Sequence, residues 1–294
     1  MPQSLRSSIS EPQYTKAVIK SALRSAGGAA RVWCVVESYD DVSVYGKFFE
    51  TTVTILPSEG EDGKMSCRNV EEIVTQLYEE EDNPRLIGIR DCDYTRYASG
   101  YHCPDNVFQT DSRDIEMMML RSDSVIANLK SWNAAFPQKI ADSSKVMRYL
   151  GYLRIYNELR QTSCIFKDKL TKQKLVWDEK AHIVVTGYQR NLFDKFKSLC
   201  DANPDLTITV TKEDFNNMVV TLHLDAEPYY YVCRGHDVLR LLSWMMINTN
   251  EFTSKTIFER MSKAYSLEDF TNTSLCQNIK NWTESRGVNI IINK

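Results

Sequence analysis

Over the first 130 residues, short β-branched apolar runs alternate with stretches of helical spacing, and this alternation constrains the fold more than any other feature of the chain. Arg31–Glu37, Thr51–Leu56, Leu86–Ile89 and Asn106–Gln109 read as buried strands. Between them, Asp40–Glu50 sets Val42, Tyr45, Phe48 and Phe49 on one helical face, and Asn69–Glu80 turns Val70, Ile73, Val74 and Leu77 inward. Tyr14–Ala26 predicts a helix that Gly27-Gly28 stops, after a polar lead-in over residues 1–13. Residues 57–66 form a Pro/Gly/acidic loop, and Asp114–Leu129 resumes a helix. Strand, helix, strand, helix, strand is the mark of an α/β fold with a parallel sheet and right-handed crossovers. In such sheets functional groups gather beyond the C-terminal ends of the strands.

Beyond residue 130 the pattern changes. Ser143–Gln161, Leu192–Leu199, His236–Ile247 and Thr256–Arg286 read as helical, whereas Cys164–Trp177, Ala181–Thr186, Leu206–Thr211, Val219–Leu224 and Tyr229–Val232 have the look of strands, the last two as a pair. The expectation is a catalytic domain over 1–130 and a C-terminal α+β/helical elaboration over 131–294, without internal repeats.

A hydrophobic fraction of 43% excludes a disordered chain, and a net charge of −3 gives no overall basic coat for nucleic acid. Bound cations would reverse the local sign at a carboxylate site. The eight cysteines include no C-x-x-C pair, which argues against a zinc ribbon and for reduced, mostly buried thiols in a cytoplasmic protein. Met1–Ser10 lacks the apolar stretch of a signal peptide, and no run approaches the roughly 20 apolar residues of a membrane span.

Acidic residues cluster at the predicted strand ends. Glu37 follows the first strand in Val35-Val36-Glu37-Ser38-Tyr39-Asp40-Asp41, Asp91 and Asp93 follow the third, and Asp111, Asp114 and Glu116 follow the fourth. Singly, each has an ordinary explanation: Asp40 as a cap for the next helix, Asp111 or Asp114 as a cap for the one after, Asp-x-Asp as a common tripeptide. Together on one sheet edge they would repel one another unless hard cations such as Mg2+ or Mn2+ bind between them.

This layout resembles the Toprim fold, which carries a Glu after its first strand and Asp-x-Asp after its third. The wider string is similar to a Toprim family of bacterial phage-defence loci encoded beside ABC-type ATPases, related to the overcoming-lysogenisation-defect nucleases and typified by PARIS-type effectors. The matching pieces are Val36-Glu37-Ser38-Tyr39-Asp40-Asp41, Asn69-Val70, Asp91-Cys92-Asp93, Asp114-Ile115-Glu116 and Gly235-His236-Asp237. Ser38 departs from the family's usual Gly, which puts the tight turn there in question. The resemblance implies a metal-dependent endonuclease restrained by a partner ATPase and acting on tRNA, other RNA or DNA.

In such an enzyme Asp91 and Asp93 hold one metal with Glu37, which is either ligand or proton carrier, and Asp41, Asp114 or Glu116 completes a second site. Lys64 and Arg68 are candidate phosphate contacts, while Arg90 and Arg113 flank the acids as ion-pair partners. Lys167–Lys197 holds eight Lys/Arg against four Asp/Glu, including Lys172 and Lys174, with Phe166, Trp177 and Tyr188 interleaved. That mixture fits nucleic-acid backbone and base stacking, or an ordinary exposed hairpin with core aromatics, which it fits better. His236 is a further candidate, as a catalytic or a packed residue. A dimer would suit a nuclease. The rival readings are a non-catalytic Toprim-like module that binds an ATPase partner or nucleic acid, and a primase- or topoisomerase-like transferase. A Rossmann enzyme is disfavoured because no G-x-G-x-x-G follows the first strand, and without a P-loop ATP hydrolysis must come from a partner.

Overall fold

The structure, a computed structural model, describes residues 13–60, 63–82, 84–246 and 250–292. Most of the polar lead-in expected at 1–13 lies outside the described residues. The described residues form two compact units: one from within 13–92, 102–111 and 266–292, the other from within 93–101 and 112–265. These units do not follow a single division at residue 130, because the last segment of the chain packs with the sheet.

The first unit is built on a four-stranded parallel sheet of order β2-β1-β3-β4, with β1 Val32–Val36, β2 Val53–Pro57, β3 Leu86–Arg90 and β4 Val107–Gln109. Every residue of β1 and β3 is buried, as expected for central strands covered on both faces. Trp33, Val35 and Leu86 face α1 (Gln13–Leu23) and α4 (Cys67–Glu80), packing on Ile19, Val70, Ile73, Val74 and Leu77. Gly88 is required on β3, since a Cβ there would lie 2.8 Å from a methyl of Val70 and 3.1 Å from one of Val74. Side chains alternate along a strand, so Cys34 and Val36 point to the opposite face. There Asp41, on α3 (Tyr39–Tyr45), is close enough to Cys34 to join burial in pushing that thiol's pKa up. A short helix, α2 (Ala26–Ala30), leads into β1 over the two glycines expected to stop α1.

The C-terminal segment joins this unit through an aromatic cluster. Phe270, on α13 (Leu267–Thr271), stacks on Phe48 at 4.7 Å between ring centroids and meets Tyr45 edge-on at 6.0 Å. Ile291 bridges Phe49 in antiparallel fashion, and the Glu50 amide donates to the Ile290 carbonyl at 2.8 Å. After β4, Asp111 accepts hydrogen bonds from the Ser274 and Leu275 amides at 2.7 and 2.8 Å, capping α14 (Ser274–Arg286) rather than the helix next in sequence.

The second unit is helical. Its centre is α7 (Phe136–Arg160), whose buried residues fall all round the helix, as they must where neighbours pack on every side. Around it lie α5 (Ile115–Leu120), α6 (Asp123–Trp132), α8 (Tyr188–Asp201), α9 (Lys212–Thr221), α10 (Tyr229–Val232), α11 (Gly235–Met245) and α12 (Ser254–Ala264). The helix expected over 114–129 is two, because the Ser122 hydroxyl accepts from the Val125 amide and starts α6 afresh. Of the strands expected in this half, only β5 (Trp177–Asp178) and β6 (Ile183–Val184) form, as a two-stranded antiparallel pair. Val219–Leu224 and Tyr229–Val232 are not a strand pair. Thr211 caps α9, and Phe215, Met218 and Val219 are buried at helical spacing, which overrides the β-rich composition. Leu206–Thr211 forms no strand either. Among the described residues no helix is long and apolar enough to cross a membrane.

Candidate metal centre

Glu37 and Asp91 follow directly on β1 and β3, which are hydrogen-bonded neighbours with Val36 opposite Ile89. The sheet thus carries both to one edge. The Glu37 carboxylate accepts a hydrogen bond from the Asp91 amide at 2.7 Å, and both residues are half-buried. The backbone beneath them is fixed. The Ser58 hydroxyl donates to the Glu37 carbonyl at 3.1 Å and accepts from the Ser66 amide at 3.2 Å. Ser66 in turn caps α4, and Asn69 donates to the Ser58 and Lys64 carbonyls at 3.0 and 3.2 Å. On β3, Arg90 is buried, pairs with Glu71, and donates to the Asp91 carbonyl at 2.8 Å. The Cys92 amide donates to the Thr110 hydroxyl at 2.9 Å, which ties the turn after β3 to the end of β4.

Cys67 was not anticipated at this edge. A sulfur-to-carboxylate separation of at most 4.8 Å relates it to Glu37. Its place in the first turn of α4, behind the Ser66 cap, was the only signal the sequence offered.

Asp41 has another task. Its carboxylate accepts from the Ser38 amide at 2.8 Å and the Ser38 hydroxyl at 2.7 Å, while the Ser38 hydroxyl caps the Asp41 amide. This capping box starts α3. It also accounts for Ser38 where the resembling family has Gly: its φ of −140° is extended backbone open to any residue, and the position uses a hydroxyl. Asp40, expected as a possible cap, is not the one used.

The remaining acidic candidates lie in the second unit. Asp93 holds a left-handed backbone (φ 46°), a conformation Asp tolerates better than most residues. Its amide donates to the Arg113 carbonyl at 2.9 Å, and its carboxylate pairs with the Arg113 guanidinium at 3.0 Å. Arg113 is buried, pairs also with Asp114 at 2.7 Å and lies 4.4 Å from the Tyr94 ring centroid. Burial lowers the guanidinium's pKa, but Tyr94, Asp93 and Asp114 outweigh it and hold the group charged.

Asp114 caps α5 by accepting from the Met117 amide at 3.1 Å, and its other oxygen accepts from the Gly235 amide at 2.8 Å. At 2% exposure its oxygens are taken by protein donors and shut off from solvent. Glu116, equally buried, meets Nδ1 of His236 at 3.1 Å, while the His236 side chain is half exposed. Asp237 pairs with Arg154 at 2.9 Å and is not the cap of α11. The Asp-x-Glu and Gly-His-Asp motifs therefore meet through direct bonds. Gly235 permits this, since a Cβ on it would sit 2.3 Å from that of Glu116. Asp41 and Asp114, expected with Glu116 as alternatives for completing a second metal site, here accept hydrogen bonds that start α3 and α5.

Of the basic candidates, Lys64 and Arg68 are exposed at the start of α4, and Lys172 and Lys174 are exposed on the turn before β5. Phe166 and Trp177 are core residues at 6% and 5% exposure, so they offer no ring face to a base.

No protein-family model matches the chain, and no curated protein matches it.

Proposed function

We propose that the chain is a metal-dependent nuclease whose working carboxylates are Glu37, Asp91 and Asp93. The observation that carries this reading is the pairing of Glu37 with the Asp91 amide at the C-terminal edge of an all-parallel sheet. Strand-end position is where α/β folds concentrate their chemistry. A carboxylate left half-exposed there, on a backbone held by Ser58, Ser66 and Asn69, is preorganised rather than loosely placed.

Carboxylate oxygens are the donors that hard cations take, so the set suits Mg2+ or Mn2+. The Cys67 thiol is a soft donor near Glu37. When bound, such a metal supplies charge relief at the phosphate and an activated water. Glu37 and Asp91 would hold it, and Asp93 follows Asp91 by two residues in the sequence. Arg113 limits Asp93's motion through both its backbone and its side chain. Asp41, Asp114 and Glu116 act as scaffold in this reading.

By resemblance, the substrate is a nucleic acid, with tRNA, other RNA and DNA as the candidates. The enzyme would work in the cytoplasm under the control of an ABC-type ATPase. The engagement of Asp41 and Asp114 in caps favours a second reading, a non-catalytic module that keeps the fold and binds a partner. Cleavage of labelled RNA and DNA by the purified chain in Mn2+, compared with Glu37→Gln, separates the two.

A further inference from the structure

Three consecutive tyrosines, Tyr229, Tyr230 and Tyr231, form most of the short helix α10. Successive side chains on a helix point about 100° apart, so three neighbours cannot all enter one core. Here only Val232 is buried, and all three tyrosines remain half-exposed. The rings brace one another edge to face, Tyr229 with Tyr230 at 5.6 Å and Tyr230 with Tyr231 at 4.6 Å. Guanidinium groups lie over two of the rings. The Arg96 guanidinium lies 3.6 Å from the Tyr231 centroid, and the Arg121 guanidinium 4.5 Å from that of Tyr230. Both arginines are exposed. Glu227 sits 3.5 Å from Arg96, both side chains partly exposed, a pair that solvent and salt weaken.

The ledge is rigidly attached. The Arg113 amide donates to the Tyr230 carbonyl at 2.9 Å, and the Arg113 guanidinium binds Asp93 and Asp114. The aromatic run and the acidic residues of the second unit thus share one anchor.

We infer that this tyrosine–arginine ledge binds single-stranded nucleic acid. Unpaired bases stack on tyrosine rings and on guanidinium planes, and the same arginines face the phosphates. A duplex hides its base faces in its own stack and can meet the ledge through phosphates alone. π faces and phosphates are common to RNA and DNA, so the ledge takes either. The inference rests on the nuclease reading for why a strand should be brought here, but not for the binding itself.

The test is fluorescence anisotropy with the full chain in EDTA, where binding neither needs nor reports cutting. The probes are labelled oligo-dT and oligo-U dodecamers and a duplex of equal length. The wild type is expected to bind both single strands at least about tenfold more tightly than the duplex. Tyr231→Leu and Tyr230→Leu, which keep apolar bulk, should each weaken binding about tenfold, and Tyr231→Phe should stay within about twofold of wild type. Arg96→Ala should weaken binding and flatten its salt dependence. Equal binding of duplex and single strand, no binding of either, or leucine variants that bind like wild type would overturn the inference; in the second case the ledge belongs to a protein partner. Binding that survives in Glu37→Gln while cutting is absent in every form would leave the ledge standing and remove the nuclease reading.

Discussion

The Glu37 carboxylate takes its hydrogen bond from the amide of Asp91, at 2.7 Å, across two neighbouring parallel strands. One candidate ligand therefore positions the backbone of the other. Gln at position 37 keeps an acceptor for that amide but loses the negative charge, whereas Ala loses both. Glu37→Gln should abolish cutting with stability close to wild type. Glu37→Ala should abolish cutting and cost about 1 kcal/mol in urea unfolding. If Glu37→Gln cuts normally, the carboxylate has no chemical role.

Asp41 and Asp114 are assigned to scaffold, and that assignment is testable. Asp41→Ala removes a capping-box partner and should cost about 1 kcal/mol while leaving the metal dependence of cutting unchanged. Asp114→Ala removes a cap, an acceptor for the Gly235 amide and one partner of buried Arg113, and should cost about 3 kcal/mol. A stable Asp114→Ala protein with an altered metal requirement would return Asp114 to the ligand set.

Gly235→Ala should destabilise the second unit by about 2 kcal/mol or more, since its Cβ would overlap the Cβ of Glu116 at 2.3 Å and crowd an Asp114 oxygen at 2.7 Å. Chemical denaturation reads this directly. An unchanged midpoint would mean that the two motifs separate at little cost.

The Cys67 thiol beside Glu37 is a soft donor that attracts Zn2+ more than Mg2+. Zn2+ should inhibit Mg2+-supported cutting, and Cys67→Ser should raise the Zn2+ concentration needed for half inhibition. Identical inhibition curves would remove Cys67 from the site.

Alkaline pH should destabilise the protein. Burial pushes the Cys233 thiol up to about 12 from the usual 9.0. Burial, with Cys200 alongside, does the same to Cys164. The native state then holds protons that the unfolded chain releases, so this contribution is intact below pH 9 and declines from there towards about 12. Urea midpoints under reducing conditions should fall over that range, less steeply in Cys233→Ala. A flat profile would contradict the burial of these thiols.

The parallel sheet was legible because each strand is a compact apolar run and each intervening helix repeats its apolar residues at helical spacing. Glu37 and Asp91 were legible for the same reason, since they immediately follow two of those runs. What escaped depends on distant partners. Asp111 caps a helix that begins 163 residues later in the chain, and Asp114 binds an amide 121 residues away. Tyr229–Val232 has the composition of a strand, yet α10 forms there, with Val232 alone of its residues buried. The Val219–Leu224 run misled for a related reason: Val219 on a helix face satisfies the same core that a strand would. Leu206–Thr211 is neither strand nor helix, and its Ile208 is exposed.

The central claim is most directly tested by incubating the purified chain with end-labelled single-stranded RNA, single-stranded DNA and tRNA in Mn2+, Mg2+ or EDTA, alongside Glu37→Gln and Asp91→Asn. The account predicts cleavage of at least one substrate by the wild type with metal, none in EDTA, and a loss of at least about a hundredfold in each variant. Cleavage that persists in EDTA, or that both variants retain, would contradict it.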